Sequence, residues 1–446
     1  MQFKLALLAL AGCAFAAETT SLKTCFGHHS GALRSICFET RTRLTLLDST
    51  LTSTTSISVP SGCSFSKTLT ATAQSDLDEL SSCSAIEGDV YITGDLGTAS
   101  IANVKAIYGS LTAFNCSNLQ SLRADSLTTI TKQLELTDLY VLDTLSFGSL
   151  VSVGSINWVT LPALTQAGLA AGVSDCQSIY ISDTRLESLE GFNPINVETF
   201  NINNNKNLAS ISSDIRSVSN ALSVSYNGDD TNVTFDSLAW ANNITFYSVS
   251  SISMSNISAV NSSLGVFESN VESLEIPTLT KIGGDLSIID NDDLSEIDLS
   301  DLQSVGGGFV IANNSNLDTI DGFDSLQSIG GAVILKGEFD NATFPKLTTV
   351  RGGFDLETTG EADCSEFNSL EKKGGIQGDK FVCSAATESS SSINHSKTST
   401  GSSSATSSGS SDESTSSGSS SSSKAGAAVN TISVFGVMSA LLLALL

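Results

Sequence analysis

From Leu279 onward the apolar and polar positions of the chain fall into copies of one unit. Four copies open with Leu279-Thr-Lys-Ile282-Gly-Gly284, Leu302-Gln-Ser-Val305-Gly-Gly307, Leu326-Gln-Ser-Ile329-Gly-Gly331 and Leu347-Thr-Thr-Val350-Arg-Gly352, their leucines 23, 24 and 21 residues apart. Each opening leads into an alternating run: Asp285-Leu-Ser-Ile-Ile289, Gly308-Phe-Val-Ile-Ala312, Ala332-Val-Ile-Leu335 and Gly353-Phe-Asp-Leu356. An Asn/Asp turn and a second apolar run, such as Leu317-Asp-Thr-Ile320, complete the unit. Worn copies begin near Val104, Leu127 and Leu150.

The runs are short, β-branched and broken by Gly or Asn every few residues, which disfavours helical repeats. A period of this length marks a solenoid, in which one turn cannot bury its apolar face alone but a stack of turns can. The expected fold is all-β: a parallel β-helix-like solenoid over residues 61–383, with turns about 4.8 Å apart. The glycine before each strand is expected to make a backbone corner that other residues resist. Asparagines at equivalent turns, Asn291 and Asn313, are expected to stack as a hydrogen-bonded ladder.

Both ends carry targeting patterns. Residues 1–17 read as a secretory signal peptide: Lys4, an apolar stretch from Leu5 to Phe15, and a small-x-small site at Ala14-Phe15-Ala16. Cysteines beyond it should meet an oxidising lumen. Residues 384–423 form a Ser/Thr/Gly-rich stalk with too little apolar surface to offset its ordering entropy. Residues 424–446 end in an uncharged apolar tail from Thr431 to Leu446, which reads as a GPI-anchor signal, with Gly418 or Ser423 as the attachment residue.

Charge narrows the partners. The chain has 21 basic and 47 acidic side chains, a net −26, of which residues 61–383 hold −27. So acidic a chain lacks the footprint of a nucleic-acid binder. The repeat surface reads as one acidic field, favouring solubility and long-range attraction of cations or basic partners.

At this point the residues carry a resemblance. The segment Cys63…Gln74-Ser-Asp-Leu-Asp-Glu-Leu-Ser-Ser-Cys83 with Ile86-Glu-Gly-Asp-Val-Tyr-Ile92 resembles the first turn of receptor L-domain-like repeats. Together with Ile156-Asn-Trp158, Leu161-Pro-Ala-Leu164, Leu238-Ala-Trp240-Ala-Asn-Asn-Ile-Thr-Phe246 and Cys364…Gly378-Asp-Lys-Phe-Val-Cys383, it makes the chain similar to the fungal GPI-anchored cell-wall organisation family of extracellular-matrix and sporulation-specific proteins. The resemblance runs from residue 62 to the end. It implies a glycosylated wall or plasma-membrane protein needed for wall integrity, with no catalytic residues. Residues 18–60 have no counterpart in that pattern and stand unassigned, as an insert or a retained intron.

A solenoid needs covered ends, so Cys63–Cys83 and Cys364–Cys383 are expected to be capping disulfides, and Cys25 and Cys37 are close enough to pair locally. Cys116 and Cys176 lie two to three turns apart, beyond the roughly 7 Å Cα limit for a bridge, and read as buried thiols. No CxxC pair and no histidine occurs among the repeats, so a zinc site has no ligand set. Asn-x-Ser/Thr sequons occur at Asn115, Asn232, Asn243, Asn256, Asn261, Asn313, Asn341 and Asn394; the four from Asn232 to Asn261 suggest one sugar-coated region.

Secreted β-helices include polysaccharide hydrolases and lyases, which usually need two carboxylates flanking the bond. The adjacent pairs Asp229-Asp230 and Asp292-Asp293 sit in Asn/Gly-rich turns and read as solvated. The expected function is a non-enzymatic, GPI-anchored surface glycoprotein supporting cell-wall organisation, with neither cofactor nor metal. Its expected partners are wall polysaccharide or wall proteins, with the membrane reached through lipid and no nucleic acid. An adhesive or glycan-binding receptor-like module is the alternative, and a polysaccharide hydrolase or lyase the third reading.

Overall fold

The computed structural model describes residues 59–386 and, as backbone, residues 391–394. The chain winds as a parallel β-solenoid of about 13 turns. Every turn adds a strand to one broad parallel sheet. In mid-chain these strands are unbroken: Ser152–Leu161, Asp175–Thr184, Asn196–Asn203, Ser217–Ser225 and Trp240–Tyr247. Their inward positions alternate with outward ones, as a pleated strand requires. Ile156, Ile179, Phe200, Leu222, Ile244 and Leu264 therefore stack one per turn, none more than 1% exposed. Burying each such side chain contributes about 1.5–3 kcal/mol, which no single turn could realise without its neighbours.

Toward the C-terminus the same path splits around a glycine pair, giving Lys281–Ile282 with Leu286–Ile289, Ser304–Val305 with Phe309–Ala312, and Ser328–Ile329 with Val333–Gly337. The expected reason for these glycines is corrected here. Gly283, Gly306 and Gly330 are not among the residues with positive φ. Instead they stack turn upon turn, and a Cβ on any of them would collide with the carbonyl oxygen of the turn before. Close backbone approach, not a left-handed corner, selects glycine.

The left-handed corner lies at the other end of the strand and is built without glycine. Asn115, Asp138, Thr160, Asp183, Asn204, Tyr226, Ser248, Glu268, Asp290 and Asn313, one per turn, have φ between 46° and 59°. The residue after each corner turns inward. Asn205, Asn227, Asn291 and Asn314 are buried there, and their amides satisfy the backbone of the turn. Asn291 N and Nδ2 both donate to Asn314 Oδ1, at 2.9 and 3.1 Å, and Asn205 N and Nδ2 to Asn227 Oδ1, at 3.1 and 3.0 Å. The ladder thus joins Asn291 to Asn314, not to Asn313. Asn313 occupies the exposed corner and donates from Nδ2 to Asp290 Oδ1 at 2.9 Å.

A second, narrower face carries three-residue strands that pair in small separate sheets, among them Thr98–Ser100, Ser121–Arg123 and Thr144–Ser146, and then Ser210–Ser212, Asn232–Thr234 and Ser251–Ser253. Both ends of the stack are covered. At the start, the helix Gln74–Asp78 and the turn after it bury Leu77 and Leu80, and Cys63 is bonded to Cys83. At the end, the helix Ser365–Lys372 lays Phe367 against Phe354, ring centroids 4.7 Å apart, and Cys364 is bonded to Cys383. The last parallel strand, Lys380–Ser384, is closed by the antiparallel strand Ser391–Asn394.

Candidate ligand face

The broad sheet presents its outward side chains in columns, because successive turns are held in register. One column runs Asn157, Tyr180, Asn201, Ser223, Thr245, Gly265, Ser287, Val310 and Ile334. The next, two residues along each strand, runs from Phe114 and Thr137 through Val159, Ser182, Asn203, Ser225, Tyr247, Phe267 and Ile289 to Ala312. A third, on the other side, takes in Gln133, Ser155, Ser178, Thr199, Ala221 and Asn243. None of these side chains is charged. In the first column, charge returns only at Glu135 on one flank and Asp355 on the other. The expectation of one acidic field is therefore corrected: the central column of this face is neutral over nine turns, about 38 Å at the usual strand spacing, although Lys336 joins the second column on the last of them. Many carboxylates stand at the corners, on the turns and on the narrow face, for example Asp183, Glu268, Asp290, Glu275 and Glu296, and Asp175 and Glu198 lie at the margin of the broad sheet.

Aromatic rings interrupt the hydroxyls and amides at one place. Tyr226, at its corner, stacks on Tyr247 with centroids 5.5 Å apart, and Tyr247 stacks on Phe267 at 4.7 Å. The glycine at 265 makes room, since a Cβ there would meet the Phe267 ring. Tyr226 remains 46% exposed and Tyr180, two turns earlier, 36%. Tyr226 Oη donates to Glu268 Oε2 at 3.3 Å. Burial, then the Glu268 charge, raises the Tyr226 phenol above its ordinary value; burial, then Tyr226 and Glu268, does the same for Tyr247. Both therefore stay neutral donors at physiological pH.

Between the two exposed tyrosines lies an asparagine network. Ser182 Oγ donates to Asn203 Oδ1 at 2.6 Å, Asn203 Nδ2 to Asn201 Oδ1 at 2.8 Å, and Asn204 Nδ2 to Asn203 Oδ1 at 3.0 Å. These bonds fix the amides in place. A separate groove of about 990 Å³ opens on the narrow face, where the row of short strands breaks between Ser146 and Ser210. It is walled by the loops of Gly168, Gly172 and Gly191, with Glu187, Glu190 and Asp214 exposed around it.

Asp229, Asp230, Asp292 and Asp293 are all exposed, outside the strands, and Asp292 accepts from Ser315 Oγ at 2.7 Å. Among the described residues, no group of three or more His, Cys, Asp or Glu is placed to hold a metal ion. Cys116 and Cys176 are free and buried. Cys176 stands in register with Val153, Ile130 and Ile107, three turns from the turn that holds Cys116.

Seven sequons lie on described side chains. Asn115, Asn232, Asn256, Asn261 and Asn313 are exposed; Asn243 and Asn341 are half-buried. The cluster from Asn232 to Asn261 is spread around the solenoid rather than gathered on one side. Asn243 belongs to the broad sheet and Asn261 follows the short strand Ala259–Val260 of that sheet, whereas Asn232 opens a strand of the narrow face and Asn256 lies on the turn after it. Asn394 lies in the closing strand, of which only the backbone is described. Cys25, Cys37, Gly418, Ser423, the signal peptide and the anchor signal lie outside the described residues.

The chain is 43% identical to cell wall mannoprotein PST1 of Saccharomyces cerevisiae over 329 residues, 73% of each chain. It is 38% identical to the cell surface GPI-anchored protein ECM33 of Candida albicans over 353 residues, 78% of this chain and 85% of that one. The chain belongs to the ECM33 and PST1 family of fungal cell-wall proteins. The same family includes sporulation-specific protein 2 of Saccharomyces cerevisiae, 29% identical over 312 residues, 69% of this chain and 62% of that one. No family profile and no solved structure matches the chain. With its ECM33 relatives it shares location at the cell surface and in the cell wall. The neutral columns could be found in the sequence only after the register of the turns was known.

Proposed function

We propose that this ECM33-family protein is a non-enzymatic scaffold or binder that supports wall organisation at the boundary between plasma membrane and cell wall. The observation that carries this reading is the long, regular broad sheet with its uncharged central column, which offers contact over many turns; among the described residues it gathers no cluster of His, Cys, Asp or Glu. The names of the relatives, a wall mannoprotein and GPI-anchored surface proteins, support the setting. In this reading residues 1–17 are removed on secretion, 384–423 form the stalk, and Gly418 or Ser423 receives the lipid when 424–446 is cleaved. The two bonded cysteine pairs lock the ends of the stack, and the exposed sequons carry glycans.

The test is a deletion strain and a purified protein. Deletion should sensitise the wall to agents that stress it, and the purified chain should bind wall material without releasing sugar from it. Turnover of wall polysaccharide sinks the scaffold reading. A wall indifferent to the deletion does so as well. Binding restricted to a wall protein would favour the adhesive alternative.

A further inference from the structure

The face that distinguishes this molecule is neutral in the midst of an acidic surface. Its central outward column, Asn157 to Ile334, holds hydroxyls, amides, one tyrosine and small or aliphatic residues, without one lysine, arginine, aspartate or glutamate over nine turns. On the same sheet charge stands beside it, at Asp175, Glu198, Lys281, Asp285 and Lys336. A polyanion would find no cation along the central column, and Lys336 beside its last turn is already paired with Asp355 and Glu357. A polycation would be drawn to the carboxylates of the corners and the narrow face instead. A protein partner of ordinary stability would need a continuous apolar centre; in the turns between Tyr180 and Tyr226 the columns hold Asn201, Asn203, Ser223 and Ser225, and the apolar run of Tyr247, Phe267 and Ile289 begins only beyond them. What fits is a partner made of hydroxyls and small apolar ring faces that carries no charge and extends for several repeats.

We propose that the broad sheet is a docking track for a neutral linear polysaccharide, and that its principal sugar subsite lies between Tyr180 and Tyr226. This rests on the scaffold-or-binder reading above and adds the site and the class of ligand. Tyr247 covers one face of the Tyr226 ring. The other face looks back across the preceding turn, whose corner bonds directly to this strand through Asn204 N to Ser225 O at 3.1 Å. That turn supplies Asn201, Asn203 and Asn204. Their mutual hydrogen bonds engage Asn201 Oδ1 and Asn204 Nδ2, leaving the Asn201 amide N–H groups and the Asn204 carbonyl oxygen for an outside partner. A hexopyranose stacked on the tyrosine would thus meet one donor and one acceptor already oriented, and little ordering remains to oppose binding. Tyr180 provides a second ring on the far side of the same turn.

The test is binding of a soluble, uncharged β-1,3-glucan to the full-length glycoprotein purified in detergent, beside an uncharged mannan, an anionic polyuronide and a cationic chitosan. Each is measured at low and high salt and again after enzymatic removal of N-glycans. A neutral polymer should bind with an affinity that salt leaves unchanged. Loss of one stacking ring in Tyr180→Ala or Tyr226→Asn should weaken it about tenfold; asparagine tolerates the left-handed φ of that corner, so the second variant keeps the fold. Tyr226→Phe, which keeps the ring, should bind nearly as the parent does. Preference for chitosan with loss in salt overturns the proposal, as does neutral-polymer binding indifferent to both ring-removing variants, or absence of binding to either neutral polymer. Binding that appears only after deglycosylation overturns it too, since the chain's own sugar, such as one at Asn243, would then occupy the face. Expressing the same two variants in the deletion strain separates the two readings. Full rescue of a wall defect leaves the wall role standing and removes the subsite. A deletion without any wall defect removes the wall role, while the binding measurement still decides the subsite.

Discussion

Asn291 and Asn314 lie one turn apart with both amides buried, and the Asn314 oxygen accepts from the backbone and the side chain of Asn291 together. Asn291 in turn accepts from Ser269 N at 3.0 Å and donates to Val266 O at 3.1 Å. Its removal leaves two backbone groups of the preceding turn, Ser269 N and Val266 O, without partners. Leaving buried polar groups unpaired costs about 1–3 kcal/mol each, so Asn291→Ala should destabilise the protein by about 3 kcal/mol in chemical denaturation. Asn313→Gly, at the exposed corner, should change stability by less than about 0.5 kcal/mol. Equal effects would contradict the assignment of the ladder to the inward residue.

Thr160 is a β-branched residue at a corner with φ 56°. That conformation is costly for such a side chain and mild for asparagine. Thr160→Asn is expected to raise stability by about 1 kcal/mol, measured as a higher denaturant midpoint with an unchanged slope.

The bond between Cys364 and Cys383 closes a loop with a sequence separation of 19. Cross-links of that span are worth about 3 kcal/mol. Since each turn of a solenoid contacts only its neighbours, the loss in a Cys364→Ser, Cys383→Ser double variant should be local. Amide exchange should accelerate in Phe354–Thr358 and Lys380–Ser384 while Asp175–Thr184 keeps its protection. Uniform acceleration across the stack would show that the turns unfold as one unit.

Burial raises both free thiols, Cys176 to about 11. At mildly alkaline pH they should resist alkylation in the native protein and react after denaturation, which peptide mass mapping can read for Cys116 and Cys176 separately.

Hydrogen bonds hold several carboxylates below their ordinary range. For Asp236 the causes are Ser253 Oγ, then Ser255 N and Oγ; for Asp89 they are Ser110 N, then Lys132. In the unfolded chain these groups take up protons near pH 4, in the folded chain only at lower pH. The unfolded state therefore binds more protons in that window. Their contribution is present above roughly pH 5 and is lost as pH falls through the folded values. The thermal midpoint should drop on acidification below about pH 4, and less steeply in Asp236→Asn than in the parent.

The repeats from Leu279 onward were legible because Leu-x-x-Val/Ile-Gly-Gly survives there, and the glycines survive because stacked backbones touch at Gly283, Gly306 and Gly330. Mid-chain turns were worn because their strands run unbroken, and register shifts between Val153 and Ser155 or Val218 and Ala221 disguise the alternation. The Asn313/Asn314 assignment slipped by one residue for a related reason. A left-handed corner filled by Asn, Asp, Tyr or Glu has no glycine to betray it, so which of two adjacent asparagines turns inward could not be read. The neutral face was invisible for a larger reason: it is a property of columns, assembled from residues about twenty positions apart.

The hydrogen bonds between successive strands run along the long axis of the stack, and the chain enters at one end and leaves at the other. A pull between the two ends therefore loads one row of bonds at a time rather than all of them together. Under such a load the molecule would pay out length turn by turn, each release dissipating a small amount of work and relaxing the strain before the next. A coil loaded in this way would act less like a rigid strut than like a spring released one turn at a time.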